Sequence, residues 1–600
     1  MAHAHLSHDR PRLVRLGALA IKIGERRTIG VVRAQLRASE GWLIGLAILV
    51  GAAGGGLAVA QSGIARALQR LLYGLPIEQR LSSIGHLTPA QLLVLPVGGL
   101  VLGLFTLALR SRRRTLVDAV EANALHGGQM SMRDSLFVSA QTLLSNGFGA
   151  SVGLEAAYAQ LGGGLASVVG QFLTLRRSDL RTLVGAGAGA AIAAAFGAPL
   201  AGAFYAFEVV IGSYTPAAIA PVTAAALAGT LIARASGAQP YAFDIASSET
   251  VTAADYVLYA ALGALCAVVA IGLMQSQAIV ERWSKRLPMP AWARPAIGGV
   301  LLVPIVFLSP QAMSAGHGAL TLDLANNTPL KFLVLVFVLK ALASIISLGF
   351  GFRGGLFFAS LFLGSLLGHI SADLLALVSP HWTMAPQDAA LVGMAALAVA
   401  VVGGPFTMAM LVLEATHDFA LTGAALAAAL VASTIVRDRF GYSFSTWRLH
   451  LRGETVRSAR DVGWVRALKV GTMMRKGPPT SPADTSVAEF RAKFPLGSAS
   501  RVVLTDNGGH YAGLVLPTTA YREEAEPLAK VATLAIQAKA VLTPEENITQ
   551  AMEIFDASGA DELAVVDTEG GVLGTLSEVY VRRRYATELE RAQRELFGEA

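Results

Sequence analysis

The sequence predicts an all-α polytopic membrane protein built from two related halves and followed by a smaller α/β unit. Three observations carry this. Of the 600 residues, 54% are hydrophobic and only 15% charged, with a mean hydropathy of +0.54, whereas soluble domains carry about 25% charge. A segment occurs twice, as SNGFGASVGLEAAYAQLG at 145–162 and SLGFGFRGGLFFASLFLG at 347–364, with nine positions identical at one fixed offset. From about Arg457 onward Asp, Glu and Lys are spread through short apolar runs, the pattern of a water-facing domain.

The membrane body is read from apolar runs such as Trp42–Ala60, Leu92–Leu109, Tyr256–Met274, Phe332–Leu348 and Ala389–Val402. Some approach the roughly 20 residues that span hydrocarbon, and the shorter ones predict tilted or incomplete helices. The 62 glycines suit close helix packing in lipid. Arginines flank the first apolar stretch, Leu16–Ile23, so no secretory signal is read there. The basic stretch 1–40 and the Arg110–Arg114 cluster place both on the cytoplasmic side. The net charge of +7 is then a topology signal rather than a nucleic-acid footprint. The single cysteine, Cys266, lies in an apolar span and excludes an intramolecular disulfide.

The duplication extends further. Pro199 and Glu208 in GAPLAGAFYAFE answer to Pro405 and Glu414 in GGPFTMAMLVLE. A shared structural role for the two glutamates, capping or hydrogen bonding within a helix, is expected. The glycine clusters at Gly147–Gly153 and Gly349–Gly355 interrupt apolar segments. Such breaks expose backbone N–H groups, which lipid cannot satisfy. A helix starting just after each break points its positive end into a cavity, and several such ends hold an anion. The plainer alternative is that the glycines only allow tight packing. Where the first copy has Glu155, the second has Phe357. A carboxylate in an apolar setting is costly, so Glu155 is the leading functional candidate.

The C-terminal region is duplicated as well. VVLTDNGGHYAGLVL (502–516) matches LAVVDTEGGVLGTLS (563–577), aligning Asp506 with Asp567 and Gly513 with Gly574. Each copy reads as strand, turn, strand, after a helical stretch at Ser486–Lys493 or Ile548–Phe555. This pattern over 468–585 resembles a pair of CBS domains. Contacts to an adenine nucleotide are placed at Thr518 or Thr519 and at Ser577 or Glu578. The alternative is a dimer-stabilising module without a ligand.

Residues 40–450 resemble the CLC chloride channel/transporter family, the voltage-gated chloride channel type. SVGLEAAYAQLGG is similar to its first anion-pathway motif, GFRGGLFFASLFLG to its second, and FGAPLAGAFYAFEVV to the stretch after the first. An appended CBS pair is common in that family. The resemblance implies two inverted repeats, here about 41–235 and 254–450 within a membrane domain of 41–455. It also implies a homodimer with one pore per subunit in a bacterial-type inner membrane, with both termini cytoplasmic. The cargo is chloride or another small anion, with protons in coupled members. Glu155 matches the glutamate that gates the pore: ionised it blocks an anion site, protonated it swings away. Burial opposes its charge and helix N-termini favour it. The backbone at Gly355, Leu356, Phe357 and Phe358 would ligate the anion, although the two phenylalanines equally suit a core.

Several family positions differ. The segment expected to carry a serine ligand reads RRTLV at 113–117, with Arg114 at the serine's place. Arg114 either binds the anion or pairs with Glu155, or else faces the cytoplasmic vestibule. Ser445 stands where the family has its central tyrosine, with Tyr442 three residues out of register. Val209 stands where coupled members carry a second glutamate, which leans toward a channel without excluding an exchanger. Two other classes were weighed. An intramembrane metalloenzyme would need ligand spacing such as HExxH, which the histidines do not show. A divalent-cation transporter would need acidic residues along its spans, where Glu155, Glu208 and Glu414 are nearly alone. No cofactor and no metal is expected beyond the nucleotide, and residues 586–600 read as a charged tail.

Overall fold

The structure is a computed structural model that describes residues 40–109, 116–238, 251–325, 328–378, 382–452 and 468–597. It divides into two compact units, Met1–Asp461 and Val462–Ala600.

The first unit is helical. Its first half contains α1 (Glu40–Tyr73), α2 (Val94–Leu109), α3 (Ala119–Leu125), α4 (Met132–Gly147), α5 (Glu155–Phe172), α6 (Arg177–Phe196), α7 (Pro199–Tyr205) and α8 (Pro216–Ala235). The second half repeats the series as α9 (Ala253–Arg286), α10 (Arg294–Leu308), α11 (His317–Ala325), α12 (Leu330–Gly349), α13 (Phe357–Val378), α14 (Pro386–Val402), α15 (Pro405–Thr416) and α16 (Phe419–Arg439). Among the described residues, the short α17 (Phe444–His450) has no counterpart in the first half. Among the described residues, eight helical spans are long and apolar enough to cross a membrane. Helices α1 and α9, each 34 residues, rise about 50 Å at 1.5 Å per residue, more than a bilayer's hydrocarbon thickness, so they must tilt. They outrun the apolar runs at 42–60 and 256–274 because their later turns bury polar groups such as Gln69 and Gln277 inside the bundle.

Local signals in each half match. Helices α6 and α14 both end on a left-handed glycine, Gly197 (φ 70°) and Gly403 (φ 89°), and a proline opens the next helix two residues on. Helix α5 lies against α6 where a Cβ on Gly162 would come within 2.3 Å of the Gly187 carbonyl, and α13 meets α14 in the same way at Gly364 and Gly393. Small residues let these backbones touch, which is how helices gain packing energy in lipid.

The halves exchange equivalent contacts. Gly153 and Gly355 pair antiparallel, each amide donating to the other's carbonyl at 3.0 and 3.3 Å. The Ser151 amide donates to Ser347 Oγ at 3.0 Å and the Arg353 amide to Ser145 Oγ at 2.9 Å. Antiparallel pairing of equivalent residues is what a two-fold relation requires. The two duplicated glutamates obey it too. Glu414 accepts from the Leu200 and Ala201 amides at the start of α7 (2.8 and 2.9 Å). Glu208 accepts from the Phe406 and Thr407 amides at the start of α15 (3.1 and 2.8 Å). Their role is capping, but across the repeats and not within their own helices. The sites fit a carboxylate because the unpaired amides at each helix start carry its positive end.

The second unit holds two sheets. In one, β2 (Thr480–Pro482) runs parallel to β3 (Val502–Thr505), which forms a hairpin with β4 (Tyr511–Val515). In the other, β5 (Val541–Leu542) runs parallel to β6 (Glu562–Val566), which forms a hairpin with β7 (Val572–Ser577), and β1 (Arg475–Lys476) completes the edge. Helices α18 (Val487–Lys493) and α19 (Ile548–Ser558) make the two crossovers, capped by Ser486 and Asn547. Asp506 and Asp567 close the hairpin turns by accepting amides two and four residues on. The His510 amide, foremost among these contacts, holds the exposed Asp506 carboxyl below the usual carboxylate range. The stretch from 586 is helical through 597, as the continuation of α20 (Glu578–Phe597), rather than a separate tail.

Replacing Glu414 by Ala removes the acceptor for two amides at the start of α7. It is expected to cost about 2–4 kcal/mol, with Glu414→Gln costing less. Thermal unfolding in detergent measures this, and unchanged midpoints for the Ala variant count against the cap.

Candidate functional site

The two helices that begin at the glycine breaks, α5 at Glu155 and α13 at Phe357, bring their N-termini together at the Gly153–Gly355 bridge. Glu155 is only 2% exposed. Its carboxylate folds back over Gly153, where any Cβ would lie 2.0 Å from Oε2, so a side chain at 153 would displace the carboxylate. The carboxylate faces the amides of Glu155 and Phe358 without closing a hydrogen bond to either. An acceptor thus sits at two positive helix ends with its bonding capacity unspent.

Cavities lie on either side of this point. One of about 60 Å³ is bordered by Arg66, Arg70, Gln69, Asn146 and Leu154. The other, of about 100 Å³, is bordered by Asp118, Glu155, Tyr205, Gly355, Phe357 and Arg448. Successive residues, Leu154 and Glu155, therefore face different cavities.

Glu155, Gly355, Leu356, Phe357 and Ser445 all border the second cavity. Phe358 does not: its side chain is fully buried, with its ring against His317 and Phe196, so only its backbone faces Glu155. Ser445 lies in the first turn of α17, which Ser443 caps. Tyr442 points elsewhere, its hydroxyl 3.1 Å from His450 Nδ1. Arg114 lies outside the described residues. In the second unit, Thr518 and Thr519 sit after β4, and the Thr519 hydroxyl donates to the Leu516 carbonyl at 2.7 Å. Ser577 ends β7, and Glu578 holds Arg582 Nε at 2.6 Å.

Two residues of the site escaped the sequence reading. Lys340 on α12 is fully buried; its ammonium donates to Ser151 Oγ (2.9 Å) and to the carbonyls of Ser314 (2.8 Å) and Ala312 (3.3 Å). All three donors are spent, and its charge acts on Glu155 from beneath the first break. A lysine inside the apolar run 332–348 was the signal. Tyr205 on α7 is 7% exposed, borders the second cavity, and lies 6.1 Å from the Phe357 ring. Among the described residues its hydroxyl has no hydrogen-bond partner. Nothing in FYAFE distinguished it from a core aromatic.

The model of the family described as "Voltage gated chloride channel" matches residues 98–437. The chain belongs to this family. It is 30% identical over 387 residues to a "Putative chloride channel protein ClcB-like" of Ralstonia nicotianae, covering 63% of this chain and 89% of that one. It is 28% identical over 358 residues to the "Voltage-gated ClC-type chloride channel ClcB" of Escherichia coli O9:H4, covering 59% and 85%. Among solved structures, a slow cyanobacterial Cl-/H+ antiporter matches with a TM-score of 0.60 at 24% identity, over 68% of this chain and 97% of its own. A eukaryotic CLC transporter matches with a TM-score of 0.58 at 18% identity, over 92% and 98%. These likenesses carry the fold. With the family assignment they make the chain an integral, multi-pass anion-transport protein and not an enzyme.

Tyr205→Phe removes a hydroxyl that has no hydrogen-bond partner among the described residues. It is expected to leave the unfolding midpoint within about 0.5 kcal/mol while changing the relative flux of chloride and nitrate in liposomes. A destabilised variant, or an unaltered flux ratio, speaks against a cavity-facing role.

Proposed function

We propose that the chain conducts chloride or another small anion between the two cavities and that Glu155 is the gate. The observation that carries this is the buried, unbonded carboxylate set against the α13 amides between two cavities. Ionised, it fills the place an anion would take. Protonated, it loses its attraction to the helix ends and leaves them to the anion. Gly355, Leu356 and Phe357, with the Phe358 amide, would hold the anion by backbone, with Ser445 on the wall. Arg114 remains a proposed contributor of positive charge at the vestibule. The reciprocal contacts between the halves support repeats inverted across the membrane. Homodimerisation, an inner-membrane location and cytoplasmic termini follow from the family resemblance.

Val209 borders the second cavity where coupled relatives would carry a second glutamate, which favours passive flux over proton exchange. In proteoliposomes, anion flux is expected to rise as pH falls, and Glu155→Gln to be active and flat across pH. In the same vesicles an imposed chloride gradient moves no protons. A Gln variant that keeps the pH dependence removes Glu155 as the gate, and proton uptake driven by chloride makes the protein an exchanger.

The second unit is proposed as a CBS pair. Supporting this are its two equivalent strand–helix–hairpin motifs and the reach of the eukaryotic match, which exceeds the membrane unit alone. The candidate nucleotide contacts are already engaged at Thr519 and Glu578, which favours the reading without a ligand. Calorimetry of the whole chain is expected to show no saturable heat with ATP or AMP; saturable binding reverses this.

A further inference from the structure

A third cavity, of about 310 Å³, lies apart from the two beside Glu155. Its walls come from α2 (Thr106, Leu107), α4 (Gln141), the last turns of α9 (Glu281, Lys285), the approach to α10 (Trp292, Arg294) and the second break up to Arg353. Anion transport between the other two cavities makes no use of it.

Its charge is lopsided, with three cations against one carboxylate. Lys285 Nζ and Glu281 Oε1 pair at 2.7 Å, which leaves Arg294 and Arg353. Arg294 spends Nη2 on the Lys285 carbonyl at 3.2 Å, and its Nε is buried without a partner. The Arg353 guanidinium has no hydrogen-bond partner among the described residues. On the wall, the Gln141 amide is 7% exposed and its Oε1 is buried without a partner, while its Nε2 donates to Thr106 Oγ1. Two forked cations with unspent donors fit a phosphate, whose oxygens accept them in pairs.

The surroundings point to a phosphate that arrives with acyl chains. Leu107 borders the cavity and is 53% exposed; with Leu100 and Leu104 it forms an apolar strip along α2. Trp292 (36% exposed) borders the cavity and Trp283 (54%) lies on α9 near its charged last turn, a placement common for aromatics at a membrane boundary. Basic pockets between spanning helices suit lipid headgroups. We infer that this cavity binds the headgroup phosphate of an anionic membrane lipid, with Arg294 and Arg353 as its ligands and the chains along α2. Because Arg353 lies two residues before Gly355, a bound lipid holds the loop that presents the α13 N-terminus and so tunes transport.

The test titrates phosphatidylglycerol carrying a fluorescent acyl chain into the full-length chain in detergent. Unlabelled phosphatidylglycerol, phosphatidylcholine and inorganic phosphate are the competitors. Removing one cation is expected to weaken binding about fivefold. Arg353→Gln therefore loses about fivefold, Arg294→Gln with Arg353→Gln loses more, and Arg353→Lys, which keeps the charge but not the fork, loses less than Arg353→Gln. Each variant is compared only as a monodisperse species with the parental unfolding midpoint, and Arg353→Lys guards against a fold defect at that position. Unchanged affinity in Arg353→Gln overturns the proposal. Displacement by phosphatidylcholine as effective as that by phosphatidylglycerol overturns it as well. Displacement by inorganic phosphate at the same concentration overturns the lipid assignment.

Discussion

The membrane unit depends on one constraint: backbone amides at a broken helix must be satisfied where no water reaches them. The chain meets it by pairing its two breaks with each other. Gly153 and Gly355 close the antiparallel bridge, serines 145 and 347 cap the opposite loops, and glutamates 208 and 414 cap the opposite short helices. Each half supplies what the other lacks, so the two-fold relation is a hydrogen-bonding solution as well as a trace of duplication.

Within that frame, function rests on departures from symmetry. The first half has Glu155 where the second has Phe357, and the second has Lys340 where the first has Val138. The anion comes from one half and the cation from the other, and their charges act on each other across the first break. Lys340 ties Ser151 to the Ala312–Ser314 turn and so fixes the loop from which Glu155 starts. A symmetric scaffold thereby holds a polar and titratable point at its centre, with matched backbone on both sides.

Much of this was legible in the sequence because duplication leaves identical letters at identical spacing. The glycine breaks, the Pro–Glu pairs and the strand–turn–strand repeats all fell into place as elements. What was not legible was the partner of each group. Glu208 and Glu414 read as a matched pair, yet nothing local shows that each caps the other's helix, since that bond joins positions about 200 residues apart. The ends of α1 and α9 were missed because polar residues facing the bundle interior look like loop residues to a hydropathy count. Phe357 and Phe358 read alike as backbone ligands from the motif resemblance, and the side chains differ because successive helix positions point about 100° apart, so one ring borders the cavity and its neighbour is packed in the core. Tyr205 was invisible because a tyrosine in an apolar helix reads as a core aromatic until the cavity beside it is known.

The crossed caps also bear on how the protein is made. The amide of Leu200 finds its acceptor 214 residues later in the chain. At ribosomal speed that acceptor appears roughly 10–40 s after the amide does. During that interval the first half sits in or beside the insertion machinery with the start of α7 unclosed. The two halves therefore mature together, and the nascent first half must be sheltered from lipid until the second arrives.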